Sequence, residues 1–75
     1  MRAEMVVMLR GEPRQLVWDD GALSGDAEVI RRLHHRAPHH RALDLVGTIR
    51  EIEAATAQRV VFTLLEEDSS PNAVR

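Results

Sequence analysis

The segment around which this 75-residue chain is expected to fold is Val60-Val61-Phe62-Thr63-Leu64-Leu65. Four of its six residues are β-branched or aromatic, a composition typical of a buried β-strand. Side chains of a strand alternate between the two faces of a sheet, and both alternating sets in this stretch are largely apolar. The pattern therefore predicts a strand that needs cover on both faces. The alternative is that the preceding helix continues through residues 58–66, because no helix-breaking residue separates Ala57 from Val60.

Two shorter apolar runs near the start of the chain predict a β-hairpin. The first covers residues 5–9 and the second covers residues 15–18. The segment between them contains a glycine and a proline, so we expect a connecting loop of about four residues. Trp18, at the end of the second run, is expected to lie over the core rather than to stack against a ligand. Asp20-Gly21 then supplies the residues of a turn.

The middle of the chain predicts two helices. The first begins at Ser24 or Asp26, whose side-chain oxygens suit a helix N-cap. It ends near Ala37, because a residue that precedes proline disfavours the α conformation. Pro38 suits the first position of the second helix, and Gly47 inside that helix predicts close approach to a neighbouring element. The apolar stripe of the second helix comprises Ala42, Leu45, Val46, Ile49, Ile52 and either Ala55 or Thr56.

These elements predict a small α+β domain of ββααβ order over residues 1–68, followed by a frayed C-terminal tail at residues 69–75. An up-and-down path places the third strand parallel to the first, in a three-stranded sheet of order 2-1-3 with both helices on one face. Nothing then covers the other face, and an uncovered apolar face is unusual on a monomer. We therefore expect a homodimer that buries this face or pairs edge strands. The predicted interface residues are Met5, Val7, Leu9, Val61 and Leu65.

Composition restricts the classes of protein to which the chain belongs. There is no cysteine, which excludes disulfides, thiolate metal sites and thiol redox chemistry. No apolar run approaches the roughly 18 residues that span a membrane, and no signal-peptide pattern is present, so a cytoplasmic location is expected. The ten basic residues are all arginine, a bias typical of GC-rich bacterial genomes. The formal net charge of −2 argues against bulk attraction to nucleic acid.

Residues 31–41 form an arginine- and histidine-rich segment between the predicted helices, which we call the Arg/His elbow. It contains four arginines, no acid and all four histidines of the chain. The dipole of a helix favours such residues at its C-terminus, so one interpretation is a solvated elbow without a ligand. Another is a nucleic-acid or phosphate site, because guanidinium groups and helix N-termini both bind phosphate. The candidate ligand-binding residues are Arg31, Arg32, Arg36, His39, His40 and Arg41.

A third interpretation of the Arg/His elbow is a site for a divalent transition metal; no other cofactor is predicted. His35 and His39 have a separation found in zinc ligand pairs. His40 and Asp44 lie four residues apart on the predicted second helix, which would add an imidazole and a carboxylate. The metal candidates are His35, His39, His40 and Asp44.

The sequence contains no catalytic constellation. Ser24 suits a helix cap, and Ser69 and Ser70 fall in the predicted tail, so none is a credible nucleophile. The neighbouring carboxylates of Asp19 and Asp20 are expected to diverge into solvent at a strand end. We therefore expect a non-enzymatic homodimer that acts as a binding or accessory module in protein interaction. Binding of nucleic acid or phosphate at the elbow, and His-based metal binding, are the alternatives.

Overall fold

The computed structural model describes residues 1–65, which form a four-stranded antiparallel sheet and two α-helices. In chain order the elements are β1 (Arg2–Leu9), β2 (Glu12–Asp19), β3 (Ala22–Gly25), α1 (Ala27–Arg36), α2 (Leu45–Thr56) and β4 (Val61–Leu65). The strand order in the sheet is β3-β2-β1-β4. The chain is thus an α+β protein, as predicted. The predicted tail at residues 69–75 and the predicted end of the domain at residues 66–68 lie outside the described residues.

Residues Val61–Leu65 form a strand, as predicted, and do not continue the helix before them; Val60 lies just before this strand. Helix α2 ends at Thr56, after which Ala57 has a φ of 58° and donates its N–H to the Glu53 carbonyl at 2.8 Å. The carboxylate of Glu53 then accepts the Val60 N–H at 2.9 Å. Because Val60 is buried in the core, tertiary packing ends the helix here without a glycine or a proline.

The sheet contains one strand more than predicted, and this strand changes the direction of the last one. β3 follows β2 through the Asp20-Gly21 turn and pairs with it antiparallel. The additional reversal changes the direction in which the chain enters the helices, so β4 runs antiparallel to β1 and not parallel to it. The predicted three-stranded ββααβ order is therefore wrong and is replaced by βββααβ. The position of β1 between β2 and the last strand is confirmed.

Both hairpins turn through two residues with positive φ angles. Arg10 and Gly11 have φ angles of 54° and 79°, and Asp20 and Gly21 have φ angles of 48° and 97°. Positive φ at both central residues marks a type I′ turn, whose twist matches that of the flanking strands. The first loop is therefore shorter than the predicted four residues, because β2 already begins at Glu12.

The core lies between the helices and one face of the sheet. Alternate residues of β1 point to this face and pack with apolar side chains of β2 and of both helices. Trp18 is buried over this core, as predicted, and its Nε1 donates to the Ala42 carbonyl at 2.7 Å. The buried apolar residues are Ala3, Met5, Val7, Leu9, Leu16, Trp18, Val29, Leu33, Ile52 and Val60.

Three of the predicted dimer-interface residues belong to this core. Met5, Val7 and Leu9 are 0, 1 and 4 % exposed, so the prediction that they contact a second copy is wrong. The error lies in the register between strands, since Met5 is opposite Phe62 and shares a face with it. Of the five predicted interface residues, only Val61 and Leu65 lie on the face that the helices do not cover.

Helix α1 has the predicted limits, whereas α2 begins later than predicted. Asp26 is the N-cap of α1 and accepts the Val29 N–H at 3.0 Å. The N-cap of α2 is Asp44, which accepts the Gly47 N–H at 2.9 Å, so the prediction that Pro38 opens this helix is wrong. The chain between the helices is a loop, and its apolar side chains are placed by tertiary contacts rather than by helical periodicity.

Candidate functional site

The uncovered face of the sheet is less apolar than predicted. Val6 of β1 lies opposite Gln15, and Val17 of β2 lies opposite Glu4. On the other side of β1, Glu4 also lies opposite Thr63 of β4. A face that mixes polar and apolar side chains can contact water, as one face of an antiparallel sheet commonly does. The face that was predicted to be uncovered and apolar is therefore a mixed polar and apolar face.

The exposed apolar surface lies instead on the helix-bearing side of the sheet, beside β4. It forms a groove with a volume of about 470 Å³, which we call the apolar groove. Residues 1–65 contain seven exposed large apolar side chains, and five of them line this groove, so the exposure is clustered rather than scattered. The fractional exposure ranges from 46 % for Phe62 to 71 % for Leu43. The five residues are Met1, Leu43, Val46, Phe62 and Leu64.

The groove exists because α2 packs against β1 and leaves most of β4 without a helix above it. Phe62 and Leu64 lie opposite Met5 and Ala3, respectively, and therefore point to the helix-bearing side. Met5 and Ala3 are fully buried, whereas Phe62 and Leu64, one strand further out, are about half exposed. These two side chains of β4 form one wall of the groove.

The other wall is formed by the start of α2 and the loop before it. The cap at Asp44 places Leu43 outside the helix and Val46 in its first turn. The hydrogen bond from Trp18 to the Ala42 carbonyl holds the loop against the core. Leu43 and Val46 are thereby fixed on the side of the groove that faces β4.

β4 is also an edge strand. It pairs with β1 on one side, and within residues 1–65 no strand pairs with its outer edge. Residues 61–65 contain no charged residue and no proline, which are the features that commonly keep edge strands apart. The opposite edge strand, β3, has only four residues and ends at Gly25. The apolar groove and the unpaired outer edge of β4 are thus adjacent on the described part of the chain.

The structure divides the Arg/His elbow into two parts. Arg31, Arg32 and Arg36 lie on α1, where they line a shallow cleft of about 510 Å³ against α2 together with a histidine of the same helix. Arg32 lies 3.8 Å from Glu28, and Arg36 lies 3.4 Å from Glu51. Arg31 has no ion-pair partner in the part of the chain that the structure describes. The three arginines therefore line one cleft on α1, and carboxylates close to two of them partly neutralise their charge.

The other part of the elbow, His39 to Arg41, lies in the loop between the helices. His40 Nε2 is 3.4 Å from the hydroxyl of the buried Thr48. The N-terminus of α2 lies further along the chain and is already capped by Asp44. The second helix therefore does not begin beside His39 and Arg41, as the predicted phosphate site assumed.

The predicted metal site is not assembled. His40 and Asp44 do not share a helix, because α2 begins after both of them. The carboxylate of Asp44 accepts a backbone hydrogen bond as a helix cap. His35 lies in the last turn of α1, whereas His39 follows in the loop. Among residues 1–65, no group of three or more potential ligand side chains is placed to hold a metal ion.

A charge cluster at the start of α1 was not predicted from the sequence. Arg14 occupies a core-facing position of β2, opposite Val7, and its side chain is 13 % exposed. Its Nη1 donates to Glu28 at 3.0 Å and to Asp26 at 3.2 Å. Burial acts to lower the pKa of Arg14, but the hydrogen bonds to Glu28 and Asp26 outweigh it and the pKa is raised. The cluster joins β2 to α1 and is a structural feature of the fold.

Two of the features that were not predicted, the core-facing Arg14 and the start of α2, do have a signal in the neighbouring sequence. Arg14 precedes Leu16 by two residues, which is the spacing of one face of a strand. Asp44 precedes the apolar positions of α2 as an N-cap does. For the groove there is no local signal, because Phe62 and Leu64 have the same apolar pattern whether or not a helix covers them.

The longer of the two helices within residues 1–65, α2, has 12 residues, and neither helix is long and apolar enough to cross a membrane. No protein-family model matches the chain, and comparisons with curated proteins and with solved structures likewise find no significant match. The function must therefore be inferred from the residues and surfaces of the chain itself.

Proposed function

We propose that the chain is a small non-catalytic protein-interaction module that acts as a homodimer, with the apolar groove and the outer edge of β4 as its interface. The observation that carries this proposal is the clustering of five exposed large apolar side chains in one groove beside an uncharged edge strand. Exposed apolar patches on soluble proteins mark surfaces that bind other molecules, and unprotected edge strands bind other strands.

The size of the groove suits a second copy of the chain. With exposures of 46 to 71 %, the five side chains present on the order of 500 Å² of apolar surface, toward the upper end for the largest patch on a monomer. Complete burial of both surfaces in a dimer would remove about 1,000 Å² from water, the approximate lower limit for a specific interface, before the strand edges are counted. A partner of the same size and chemistry is therefore sufficient to cover the groove.

The small core supports the same proposal. It consists of ten buried apolar side chains among the described residues, and a core of a domain this small rarely supplies more than about 3–5 kcal/mol. The chain has no cysteine with which to form a disulfide. Burial of the groove between two copies adds apolar contacts that the single chain lacks.

The double variant Leu43→Glu/Val46→Glu tests the proposal. Both side chains are more than half exposed, so their replacement leaves the core intact while it places like charges on both copies of the interface. We expect the unaltered chain to have about twice its 8.5 kDa chain mass in multi-angle light scattering at micromolar concentration. The double variant should have the mass of one chain and an unchanged far-ultraviolet circular dichroism spectrum.

Met8→Glu is the matched control, because Met8 is an exposed apolar residue of β1 outside the groove. This variant should remain dimeric. An unaltered chain that is monomeric at tens of micromolar, or a double variant that remains dimeric, would contradict the proposal.

A second candidate function is the binding of a polyanion by α1, which is supported by the row of three arginines along its cleft. The test is the affinity for a nucleic-acid duplex of mixed sequence, measured by fluorescence anisotropy at several salt concentrations. If this candidate is correct, Arg31→Glu/Arg32→Glu should lower the affinity by roughly tenfold or more, and affinity should fall steeply with salt. Arg50→Glu, an exposed arginine of α2 outside the cleft, should have a much smaller effect.

A further inference from the structure

We propose that two copies of the chain pair antiparallel through β4, about a two-fold axis that passes midway between the two copies of Thr63. This inference rests on the proposed homodimer and specifies how its two copies meet. The two sheets of four strands then form one continuous sheet of eight, with all four helices on the same side. The edges that remain are the two copies of β3, which have four residues each.

Symmetry restricts how the β4 edge can pair with itself. Antiparallel strands that are related by a two-fold axis have that axis perpendicular to the sheet. Each side chain then lies opposite a side chain on the same face of the combined sheet. Phe62 and Leu64 point to the helix-bearing side in one copy, so they face the same two residues of the second copy on that side.

The extent of β4 selects the register of this pairing. If the pairing is centred on Thr63, each of the five residues of β4 lies opposite a residue of the second β4. If it is centred on Phe62 or Leu64, one end of the strand lies opposite residues outside β4. None of the five residues is charged, so no like charges meet across the axis. The opposed pairs are Thr63–Thr63, Val61–Leu65 and Phe62–Leu64.

The same register joins the two apolar grooves. Phe62 and Leu64 form a wall of each groove, and across the axis they make two cross-strand pairs of apolar side chains that shield each other from water. In each copy, Leu43 and Val46 lie on the helix-bearing side of the sheet, next to these cross-strand pairs. Backbone hydrogen bonds along the edge and burial of the groove thus belong to one interface.

Single cysteine variants test the register directly, because the chain contains no cysteine of its own. In the proposed pairing the two Thr63 Cα atoms are about 4.5–5.5 Å apart, within the range of about 4.4–6.8 Å that a disulfide allows. The two Val61 Cα atoms are offset by four residues along the strands, which is about 13 Å. Both side chains are exposed on the face without helices, so neither substitution alters the core or the groove.

Under mild oxidation we expect Thr63→Cys to form a disulfide-linked dimer, seen on non-reducing gels, at least about tenfold faster than Val61→Cys, given the distance limits on a disulfide. A mixture of Val61→Cys with Leu65→Cys should form the mixed dimer. Circular dichroism and light scattering on the reduced proteins establish that each variant is folded and dimeric.

The outcomes separate this inference from the proposed function. A reduced Thr63→Cys variant that is dimeric but does not cross-link would overturn the β4 register and leave the homodimer intact. Equal cross-linking of Thr63→Cys and Val61→Cys would overturn the register in the same way. An unaltered chain that is monomeric in light scattering would overturn both.

Discussion

Gly25 lies where the chain passes from β3 to α1, and the backbone of β2 is its nearest neighbour. Its φ is 123°, a conformation that residues with side chains rarely adopt. A Cβ atom here would lie 2.5 Å from the Gln15 carbonyl oxygen and 2.7 Å from the Leu16 Cα. We expect Gly25→Ala to lower the free energy of unfolding by about 3 kcal/mol or more, because backbone strain and overpacking act together. Urea denaturation followed by circular dichroism measures this loss.

Gly47 provides the matched control at the same scale. The sequence predicted that it permits close approach of another element, but the three nearest neighbours of an added Cβ are all atoms of Asp44, so this prediction is wrong. The closest of them is the carboxylate Oδ2 at 3.2 Å, which can move aside. Gly47→Ala should change the free energy of unfolding by no more than about 1 kcal/mol, since alanine has the higher helix propensity. Equal losses in the two alanine variants would contradict the role given to Gly25.

Asp26 makes stability depend on pH through its contacts with Val29 and Arg14. The hydrogen bond from the Val29 N–H is the main cause that lowers the pKa of Asp26; burial acts in the opposite direction, and the hydrogen bond from Arg14 lowers the pKa further. A carboxylate with a lowered folded pKa stabilises the protein above its unfolded pKa of about 3.9. That contribution is lost as the pH falls through the lower, folded value.

We therefore expect the urea midpoint of the chain to decrease as the pH is lowered from about 5 to about 2. Asp26→Asn keeps a side chain that caps helices well but has no carboxylate to protonate, so its midpoint should decrease less over the same range. Glu28, which also contacts Arg14, is left unchanged by this substitution. Parallel pH profiles for the two proteins would show that Asp26 is not the group responsible.

At the scale of the elements, the C-terminus of α2 is held in an unfavourable conformation by its surroundings. Ala57 has φ and ψ angles of 58° and 29°, the left-handed region in which helices commonly end with glycine. Ala57→Gly should therefore raise the free energy of unfolding by about 0.5–1 kcal/mol, because the left-handed conformation disfavours a Cβ atom. Thermal denaturation should give a correspondingly higher midpoint. A lower midpoint would mean that the helix end is not maintained in this conformation.

β3 shows how one short element alters the arrangement of the others. The Asp20-Gly21 turn was predicted. Residues 22–25, however, contain a single large apolar side chain and lack the sequence pattern of a strand. Their pairing with β2 depends on the tight turn and on the close approach at Gly25, which are contacts between neighbours in space. Because each strand reverses the chain, the omission of β3 was enough to predict the wrong direction for β4.

At the scale of the whole molecule, a homodimer makes stability depend on protein concentration. If unfolding separates two copies, a tenfold increase in concentration stabilises the folded dimer by about 1.4 kcal/mol. That change raises the thermal midpoint by roughly 3–6 °C for a folded unit of this size. The midpoint of Leu43→Glu/Val46→Glu should be independent of concentration, whereas that of Met8→Glu should follow the unaltered chain. Differential scanning calorimetry over a hundredfold range of protein concentration measures the thermal midpoints of the three proteins. A midpoint of the unaltered chain that does not change with concentration would contradict a dimer that dissociates on unfolding.

Four features were predictable from the amino-acid sequence alone: the fold class, a strand within residues 60–65, the first hairpin and the limits of α1. These depend on interactions between near neighbours: β-branched composition, turn residues, an aspartate cap and a proline. The large aromatic side chain of Trp18 was also correctly expected to lie over the core.

Three features depend on contacts between residues distant in the chain: the direction of β4, the start of α2 and the location of the exposed apolar surface. Asp44 is a valid N-cap signal for α2, but Pro38 is an equally good signal for an earlier start. The hydrogen bond from Trp18 to the Ala42 carbonyl, which holds residue 42 in the loop, distinguishes the two starts. Whether Phe62 and Leu64 are buried depends on how far a helix reaches across the sheet. The pattern of apolar residues along the chain is the same in either case. The hydrophobic effect is non-directional, so its contribution depends only on how much apolar surface the folded structure removes from water.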